Sequence, residues 1–128
     1  SEAHWIAFEP DRIPRLIAEG KTIFVDITAE WCITCQVNKT LILDRGGIHE
    51  VLAGGGTVVA MRGDWTRPNA EISAYLESFG RFGIPLNAVY GPASRSGILL
   101  PELLTAGLVW DALGAASGGS IVANKNSK

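Results

Sequence analysis

The sequence predicts a single α/β domain, built on a mixed β-sheet with helices on both faces. Its 128 residues suit one domain, and a hydrophobic content of 47% allows one core. In the first two thirds of the chain, apolar runs typical of buried strands alternate with helical periodicity, which favours parallel strands joined by helices. Two short strand segments with a turn-rich connection follow and favour an antiparallel hairpin. The predicted order is therefore α, β, α, β, α, β, β, α.

The first half of the chain begins with a short predicted helix. Ile13, Leu16 and Ile17 fall on one face of this helix, and Gly20 favours its end. The apolar run within residues 21–28 then predicts the central strand, because such runs are typical of strands that are buried on both faces.

A second helix is predicted from about residue 32 to residue 43. Ile33, Val37 and Leu41 recur every four residues, which matches the helical period. After a weakly amphipathic turn, residues 57–61 predict another buried strand.

The next predicted helix covers residues 68–79, where a proline and an asparagine favour its start. Strands are predicted at residues 86–90 and 97–100. The glycine, proline and serine residues between them favour a turn at 91–96.

The last predicted helix can be capped by Thr105 and ends at Gly114. Small and polar residues dominate the remainder of the chain. We therefore place the domain at residues 1–114 and expect a flexible tail at 115–128.

The two cysteines, Cys32 and Cys35, form a C-x-x-C motif where the central strand is predicted to give way to a helix. Unpaired backbone N–H groups at a helix start favour a thiolate, so Cys32 is the predicted nucleophile, with its sulfur exposed. Cys35 lies one turn further on, on the same side, and can close a disulfide with it. The pair can therefore cycle between dithiol and disulfide.

Three other interpretations of the cysteine pair stay open. A structural zinc site normally needs a second pair of ligands, and the two histidines, His4 and His49, are far apart in the sequence. A purely structural disulfide would close a loop too short to remove much chain entropy. Two inert buried thiols are the third possibility. If the pair is only a structural or metal-binding clip, the chain would be a binding module without catalysis.

The composition argues against several classes of partner. Eleven basic and thirteen acidic residues give a net charge of −2, which offers no attraction to nucleic acid or an anionic membrane surface. The sequence contains no uninterrupted apolar run of the length that spans a bilayer. Because a basic segment followed by an apolar one is absent from the start, we expect a processed chain or an excised piece. Protein or small thiol partners fit better.

Residues 25–35 (V-D-I-T-A-E-W-C-I-T-C) place an aspartate six residues before the first cysteine and a tryptophan directly before it. This segment resembles the active-site segment of thioredoxins, and G-I-P at 83–85 resembles their cis-proline loop. With D-W-T at 64–66 and the residues at 80–86, the sequence is most similar to the C-terminal thioredoxin-like domain of the thiol:disulfide interchange protein DsbD and its ScsB-type relatives. The resemblance covers about residues 5–113.

The resemblance implies a thioredoxin fold, in which a cis-proline loop lies opposite the helix start that carries C-x-x-C. It implies a protein-disulfide reductase whose redox group is the Cys32–Cys35 disulfide, with no metal or organic cofactor. In the DsbD family such a domain lies in the periplasm as part of an inner-membrane protein. It passes electrons from a transmembrane donor domain to a periplasmic acceptor domain, in support of processes such as cytochrome c biogenesis. We expect the isolated domain to be a monomer that does not itself insert into the membrane.

Further site residues are predicted around the cysteines. Asp26 is the predicted proton acceptor for Cys35, since burial in an apolar strand raises the pKa of a carboxyl group; a purely structural aspartate is the alternative. Trp31, Ile84 and Pro85 are predicted to bind the partner, the Ile84 backbone pairing with an extended segment if the resemblance to a cis-proline loop holds. A core position for the tryptophan is the alternative.

Glu30 and Asp26 are predicted to hold the pKa of Cys32 up by their negative charge, with an ordinary surface position as the alternative for Glu30. Ile33 and Thr34 stand between the cysteines, where thioredoxin has Gly-Pro, and add no positive charge. We therefore predict a reducing couple.

Overall fold

A computed structural model describes residues 4–122 of the chain. The strands of its sheet are β1 Ile6–Ala7, β2 Thr22–Thr28, β3 Val58–Asp64, β4 Leu86–Gly91 and β5 Ser94–Leu99. Their order across the sheet is β1-β3-β2-β4-β5. The central strand β2 is parallel to β3 and antiparallel to β4. The predicted mixed sheet is thereby confirmed.

Helices pack on both faces of this sheet. The α-helices are α1 Ile13–Ala18, α2 Ile33–Asn38, α3 Gly46–Ala53, α4 Ala70–Ser78 and α5 Ala106–Ser117. One cluster of buried apolar side chains joins α3 and α5 to the sheet, and a second cluster joins α1 and α4 to it. The α/β class with helices on both faces is confirmed.

Strand β2 is buried along nearly its whole length because both of its faces are covered. Ile23, Val25 and Ile27 belong to the cluster with α1 and α4, whereas Phe24 belongs to the opposite cluster, with Leu43 after α2. Successive side chains of a strand alternate between faces, so the next inward position on the side of Phe24 is residue 26. A buried carboxylate thus lies on the same face of β2 as the core residue Phe24.

The helix that carries the cysteines is shorter than predicted and continues as one π-helical turn, Lys39–Leu43. Its inward face is formed by Cys35 and Asn38. Ile33, Val37 and Leu41, whose spacing predicts the helix, are all exposed. The four-residue period correctly indicates a helix, but it does not specify which face meets the sheet. These three side chains form an apolar stripe on the outside.

Several element boundaries differ from the prediction. β1 is too short for a period to show, and α3 starts at Gly46, where the sequence predicts only a weak turn. The hairpin turn is two residues, since Gly91 already pairs with Ser94. A Cβ at Gly91 would lie 2.3 Å from the carbonyl oxygen of Ala116, so the close approach of α5 to the hairpin requires glycine there.

The C-terminal end of the described chain also differs. α5 continues through Ser117 and ends at Gly118, which has a left-handed φ of 73°. Ile121 then packs into the core beside α5. The predicted domain boundary at residue 114 therefore falls inside a packed helix. The rest of the predicted tail, 123–128, lies outside the described residues.

None of the helices within residues 4–122 has both the length and the apolar character that crossing a bilayer requires.

Candidate active site

Cys32 and Cys35 form a disulfide at the start of α2, with their Cα atoms 5.2 Å apart. Cys32 is the N-cap residue, with extended backbone, and its Sγ accepts the N–H of Cys35 at 3.2 Å. The Cys32 carbonyl accepts the N–H of Gln36 at 3.1 Å, as the helix begins. In the reduced pair the same N–H can stabilise a thiolate on Cys32.

The two cysteines are more covered than the sequence predicts. Cys32 is 7% exposed and Cys35 is 4% exposed, and both pack with Ala29 and Ile84. Ile84, in the opposite loop, packs against the two cysteines and covers them. The prediction of an exposed Cys32 sulfur is therefore wrong for this disulfide form. Cys32 remains the more accessible of the two.

The loop opposite the cysteines contains a cis peptide bond between Ile84 and Pro85, as the resemblance to thioredoxins implies. Pro85 is buried and leads directly into β4, whose first residue, Leu86, pairs with Ile27 near the end of β2. Since α2 follows β2, this register brings the cis-proline loop to the same end of the sheet as the cysteines.

Trp31 and Glu30 lie at the surface. Trp31 is 60% exposed, which rules out the alternative of a core aromatic. Its indole Nε1–H donates to the carbonyl of Thr66 at 3.1 Å, and its ring lies 6.5 Å from that of Trp65. The N–H of Glu30 donates to Oγ1 of Thr66 at 2.9 Å. The exposed Glu30 side chain fits the surface alternative.

Asp26 is 5% exposed and bonded to two side chains. Its Oδ2 accepts the Nε–H of Arg62 at 2.9 Å, and its Oδ1 accepts Nδ2–H of Asn87 at 2.8 Å. The guanidinium of Arg62 also stacks over the ring of Trp5, 3.7 Å from its centroid. Burial raises the pKa of Asp26, and the charge of Arg62 followed by the bond from Asn87 opposes that rise.

The partners of Asp26 are residues that sequence reasoning missed. They are its direct neighbours in the sheet: Arg62 on β3 and Asn87 on β4 occupy the positions opposite Asp26. The register of β2 with β3 and β4 identifies Arg62 and Asn87 as these partners. The sequence alone does not give that register, because it depends on how distant segments pair. A polar residue in each strand at this position was the available signal.

Thr66 is a third residue that the sequence did not single out beyond its place in a resembling segment. It follows β3, whose last residue Asp64 lies opposite Thr28 at the end of β2. The turn after β3 therefore meets the segment just before the cysteines. The D-W-T pattern, with an aspartate that can accept from the backbone two residues on, was the signal.

The zinc alternative requires a group of metal ligands that includes the cysteine pair. Within residues 4–122 there is no group of three or more histidine, cysteine, aspartate and glutamate side chains that could hold a metal ion. The cysteines themselves are joined to each other as a disulfide.

Residues 4–92 match the thioredoxin-like family. Among curated proteins, the chain is similar to the thiol:disulfide interchange protein DsbD of Ralstonia nicotianae, at 31% identity over 68 residues, which is 53% of this chain and 11% of that protein. DsbD of Yersinia pestis is 28% identical over 68 residues, with the same coverage. The chain thus spans about a tenth of the length of these relatives.

Solved structures with the same fold include the C-terminal domain of DsbD from Neisseria meningitidis in the reduced form. Its TM-score is 0.63 at 19% identity, covering 87% of this chain and 99% of that one. A thioredoxin from Thermus thermophilus gives a TM-score of 0.64 at 18% identity, covering 88% of this chain and 85% of that one. The chain therefore belongs to the thioredoxin-like family and, within it, resembles the C-terminal domain of DsbD.

Proposed function

We propose that this chain is a reducing thiol:disulfide oxidoreductase domain, with Cys32 and Cys35 as its catalytic residues. The observation that carries the proposal is the disulfide at the start of α2, packed against Ile84 of the cis-proline loop. The N-cap position gives Cys32 a backbone donor for its thiolate, which makes it the attacking sulfur.

The reaction is an exchange of disulfide bonds. The thiolate of Cys32 attacks a partner disulfide, so that a mixed disulfide forms, the partner disulfide breaks, and one partner sulfur leaves as a thiolate. Cys35 then loses its proton and attacks Cys32 Sγ, which releases the second partner sulfur and closes the Cys32–Cys35 disulfide. The pair loses two electrons and the partner gains two. A dithiol donor reverses the exchange and restores the reduced pair.

Asp26 is the proposed acceptor of the Cys35 proton. It lies on the inner face of β2 shared with Phe24, which packs with the turn that follows α2. Its raised pKa makes the carboxylate a better base than an exposed aspartate. A cleft of about 210 Å³ is lined in part by Lys39 and by Arg62, the ion-pair partner of Asp26.

The proposed partner-binding surface consists of Trp31, Ile84 and Pro85. Trp31 supplies an exposed aromatic face directly before Cys32. Ile84, which contacts the cysteines, would offer its backbone to an extended partner segment as an added strand. Ile33, 81% exposed between the cysteines, would be covered by any partner whose sulfur reaches Cys32.

The reducing direction is supported by the charges around the pair. Ile33 and Thr34 bring no cation between the cysteines, and Asp26 is buried on the face of β2 whose Phe24 packs with Leu43, after α2. A negative charge nearby disfavours the thiolate, and a less stable thiolate makes a dithiol more reducing. Glu30 is a weaker candidate for the same effect, because its side chain is exposed.

The similarity to DsbD supports a place for this chain in an electron relay. In this proposal it is the periplasmic domain of an inner-membrane protein, takes electrons from a membrane-embedded donor domain, and passes them to a periplasmic acceptor domain of the same protein. Protein-disulfide reduction for cytochrome c biogenesis is one downstream use that the resemblance implies.

Reduction of insulin with dithiothreitol as the electron donor tests the chemistry. The wild-type domain should accelerate insulin precipitation, whereas Cys32→Ser should not. The Cys35→Ser variant should instead accumulate a covalent mixed disulfide through Cys32, visible as a mass shift that dithiothreitol removes. Wild-type protein that neither reduces insulin nor forms the trapped species when Cys35 is replaced would overturn the proposal in favour of a non-catalytic binding module.

The relay is tested with the same trap. Cys35→Ser protein, incubated with the candidate periplasmic acceptor domain in its disulfide form, should yield a stoichiometric mixed disulfide. A Cys32→Ser, Cys35→Ser double variant provides the matched control. Trapping of insulin without trapping of the acceptor would retain the chemistry and reject the relay.

A further inference from the structure

The turn after β3 makes a set of hydrogen bonds to the segment that precedes the cysteines. The backbone N–H of Thr66 donates to Oδ1 of Asp64 at 2.8 Å, and its hydroxyl donates to the same oxygen. The hydroxyl oxygen of Thr66 accepts the N–H of Glu30, and the backbone carbonyl of Thr66 accepts the indole N–H of Trp31. One threonine therefore links an anionic side chain, the backbone before Cys32 and an exposed aromatic ring.

These bonds follow from the parallel pairing of β2 and β3. Thr28 and Asp64 lie opposite each other at the ends of the two strands. The N–H of Trp65 donates to the carbonyl of Thr28 at 2.7 Å and carries the pairing one residue further. The chain then turns back at Thr66, and the hydrogen bonds to Asp64 close that turn.

We propose that Thr66, held by Asp64, is a positioning residue that presents the Trp31 ring to protein partners. The inference rests on the proposed function, in which Trp31 forms part of the docking surface. It assigns to Thr66 and Asp64 a role in partner recognition that is separate from the exchange chemistry of the sulfurs.

The physical basis is pre-organisation. A side chain that is 60% exposed normally samples several rotamers, and a partner that contacts it must select one. The bond from Nε1 to the Thr66 carbonyl and the neighbouring Trp65 ring restrict Trp31 to one orientation before any partner arrives. Restricting a contact residue in advance reduces the entropy lost on binding.

The charge of Asp64 supports this arrangement. The side-chain bond from Thr66, followed by the backbone bond from the same residue, lowers the pKa of Asp64. Its carboxylate therefore stays ionised and continues to accept both bonds across the neutral pH range. The turn stays closed under the conditions in which exchange would occur.

The position of Thr66 predicts which rate constants change when it is replaced. The Thr66 hydroxyl bonds to Asp64 and to the N–H of Glu30, and these bonds hold the turn whose carbonyl accepts from Trp31. Loss of the hydroxyl should therefore loosen the Trp31 ring and weaken docking of a protein substrate. A small disulfide that reaches the sulfurs without covering Trp31 should react as before. A defect restricted to protein substrates distinguishes recognition from general damage to the site.

The experiment compares Thr66→Val, which keeps the shape but removes the hydroxyl, with Thr66→Ser, which keeps the hydroxyl. Thr57→Val, at an exposed position before β3, is the matched control. We expect Thr66→Val to raise KM for insulin by about threefold to tenfold, the range for loss of a hydrogen bond or two, with kcat little changed. Thr66→Ser should restore the wild-type KM. Rates with hydroxyethyl disulfide should stay within about twofold.

The Trp31→Phe variant gives a second measurement that is insensitive to folding of the turn. It removes the indole donor at an exposed position, so it should raise KM for insulin, and adding Thr66→Val should raise it little further. In proton–nitrogen correlation NMR spectra, the indole N–H signal of Trp31 is assigned by its loss in Trp31→Phe. In Thr66→Val this signal should shift, and its proton should exchange faster with solvent.

Three results would overturn the inference: an unchanged KM in Thr66→Val, an equal loss with hydroxyethyl disulfide, or fully additive effects of the two substitutions. A wild-type domain inactive on both insulin and hydroxyethyl disulfide would be a different failure, since it rejects the proposed function itself. Wild-type activity with an unaltered Thr66→Val variant rejects only the role of Thr66.

Discussion

Asp26 and Asp64 lie on neighbouring strands, yet their carboxyl groups have opposite properties. Asp26 is buried in β2, and burial raises its pKa in spite of Arg62. Asp64 is exposed at the end of β3, and two hydrogen bonds from Thr66 lower its pKa. Burial without full compensation therefore raises the pKa of one carboxyl group, and hydrogen bonding lowers the pKa of the other.

The difference matches the two separate tasks that we propose for these carboxyl groups. The buried carboxylate lies on the face of β2 that packs with Leu43, after the cysteine-bearing helix, and its proposed task is the proton transfer from Cys35. The exposed one supports the turn that meets Trp31, where it can serve recognition. Substitutions at the two aspartates should accordingly change different measurable quantities.

The largest expected effect is that of Asp26→Asn on release of the partner. Without the carboxylate, Cys35 loses its proton to water, and we expect the mixed disulfide to break down about a hundredfold more slowly near neutral pH. Rapid acid quenching followed by mass spectrometry measures the lifetime of the mixed disulfide. Asp111→Asn, at an exposed position on α5, is the matched control. An unchanged lifetime would assign Asp26 a purely structural role.

Arg62→Met should have the next largest effect, on stability. It leaves Asp26 buried without its cation, and we expect the free energy of unfolding to fall by about 3 kcal/mol. Urea unfolding measures it, with the exposed Arg95→Met as control. Combining Arg62→Met with Asp26→Asn should recover part of the loss, because no uncompensated carboxylate remains. Equal loss in the single and double variants would contradict the ion-pair argument.

The pH dependence of stability should differ in sign between the two aspartates. The raised pKa of Asp26 means that its stabilising contribution is fully present below its unfolded pKa and is lost as the pH rises through the folded value. The lowered pKa of Asp64 gives a contribution that is present above its unfolded pKa and is lost as the pH falls through the folded value.

Relative to wild type, Asp26→Asn should therefore gain stability as the pH rises, and Asp64→Asn should gain it as the pH falls. Urea midpoints between about pH 3 and pH 8 check both slopes. Parallel curves for the two variants would show that burial and hydrogen bonding do not separate these carboxyl groups.

The smallest effect is expected for Glu30→Gln. The side chain is exposed, so loss of its charge should change the rate of insulin reduction by less than about twofold and the free energy of unfolding by less than about 0.5 kcal/mol. Stopped-flow alkylation of Cys32 at several pH values checks whether the charge tunes the thiolate. A clear shift of the alkylation profile would restore Glu30 as a tuning residue.

Local patterns in the chain were sufficient to predict the α/β class, the central strand and the cysteine pair at the start of a helix. A strand buried on both faces and a C-x-x-C motif after it are contiguous signals, since the residues that define them lie within a few positions of one another. The cis peptide bond before Pro85 could be expected only from the resemblance to thioredoxins, because an isolated X-Pro bond favours trans.

Pairing between distant segments decided which residues surround Asp26, Trp31 and the two sulfurs. The register of β2 with β3 and β4 brought Arg62 and Asn87 to Asp26, and the same register brought Thr66 to Trp31. Ile84 covered the sulfurs from another part of the chain. Periodicity and capping are properties of short stretches, whereas ion pairs across a sheet and the cover of a reactive sulfur depend on which distant residues meet when the chain packs.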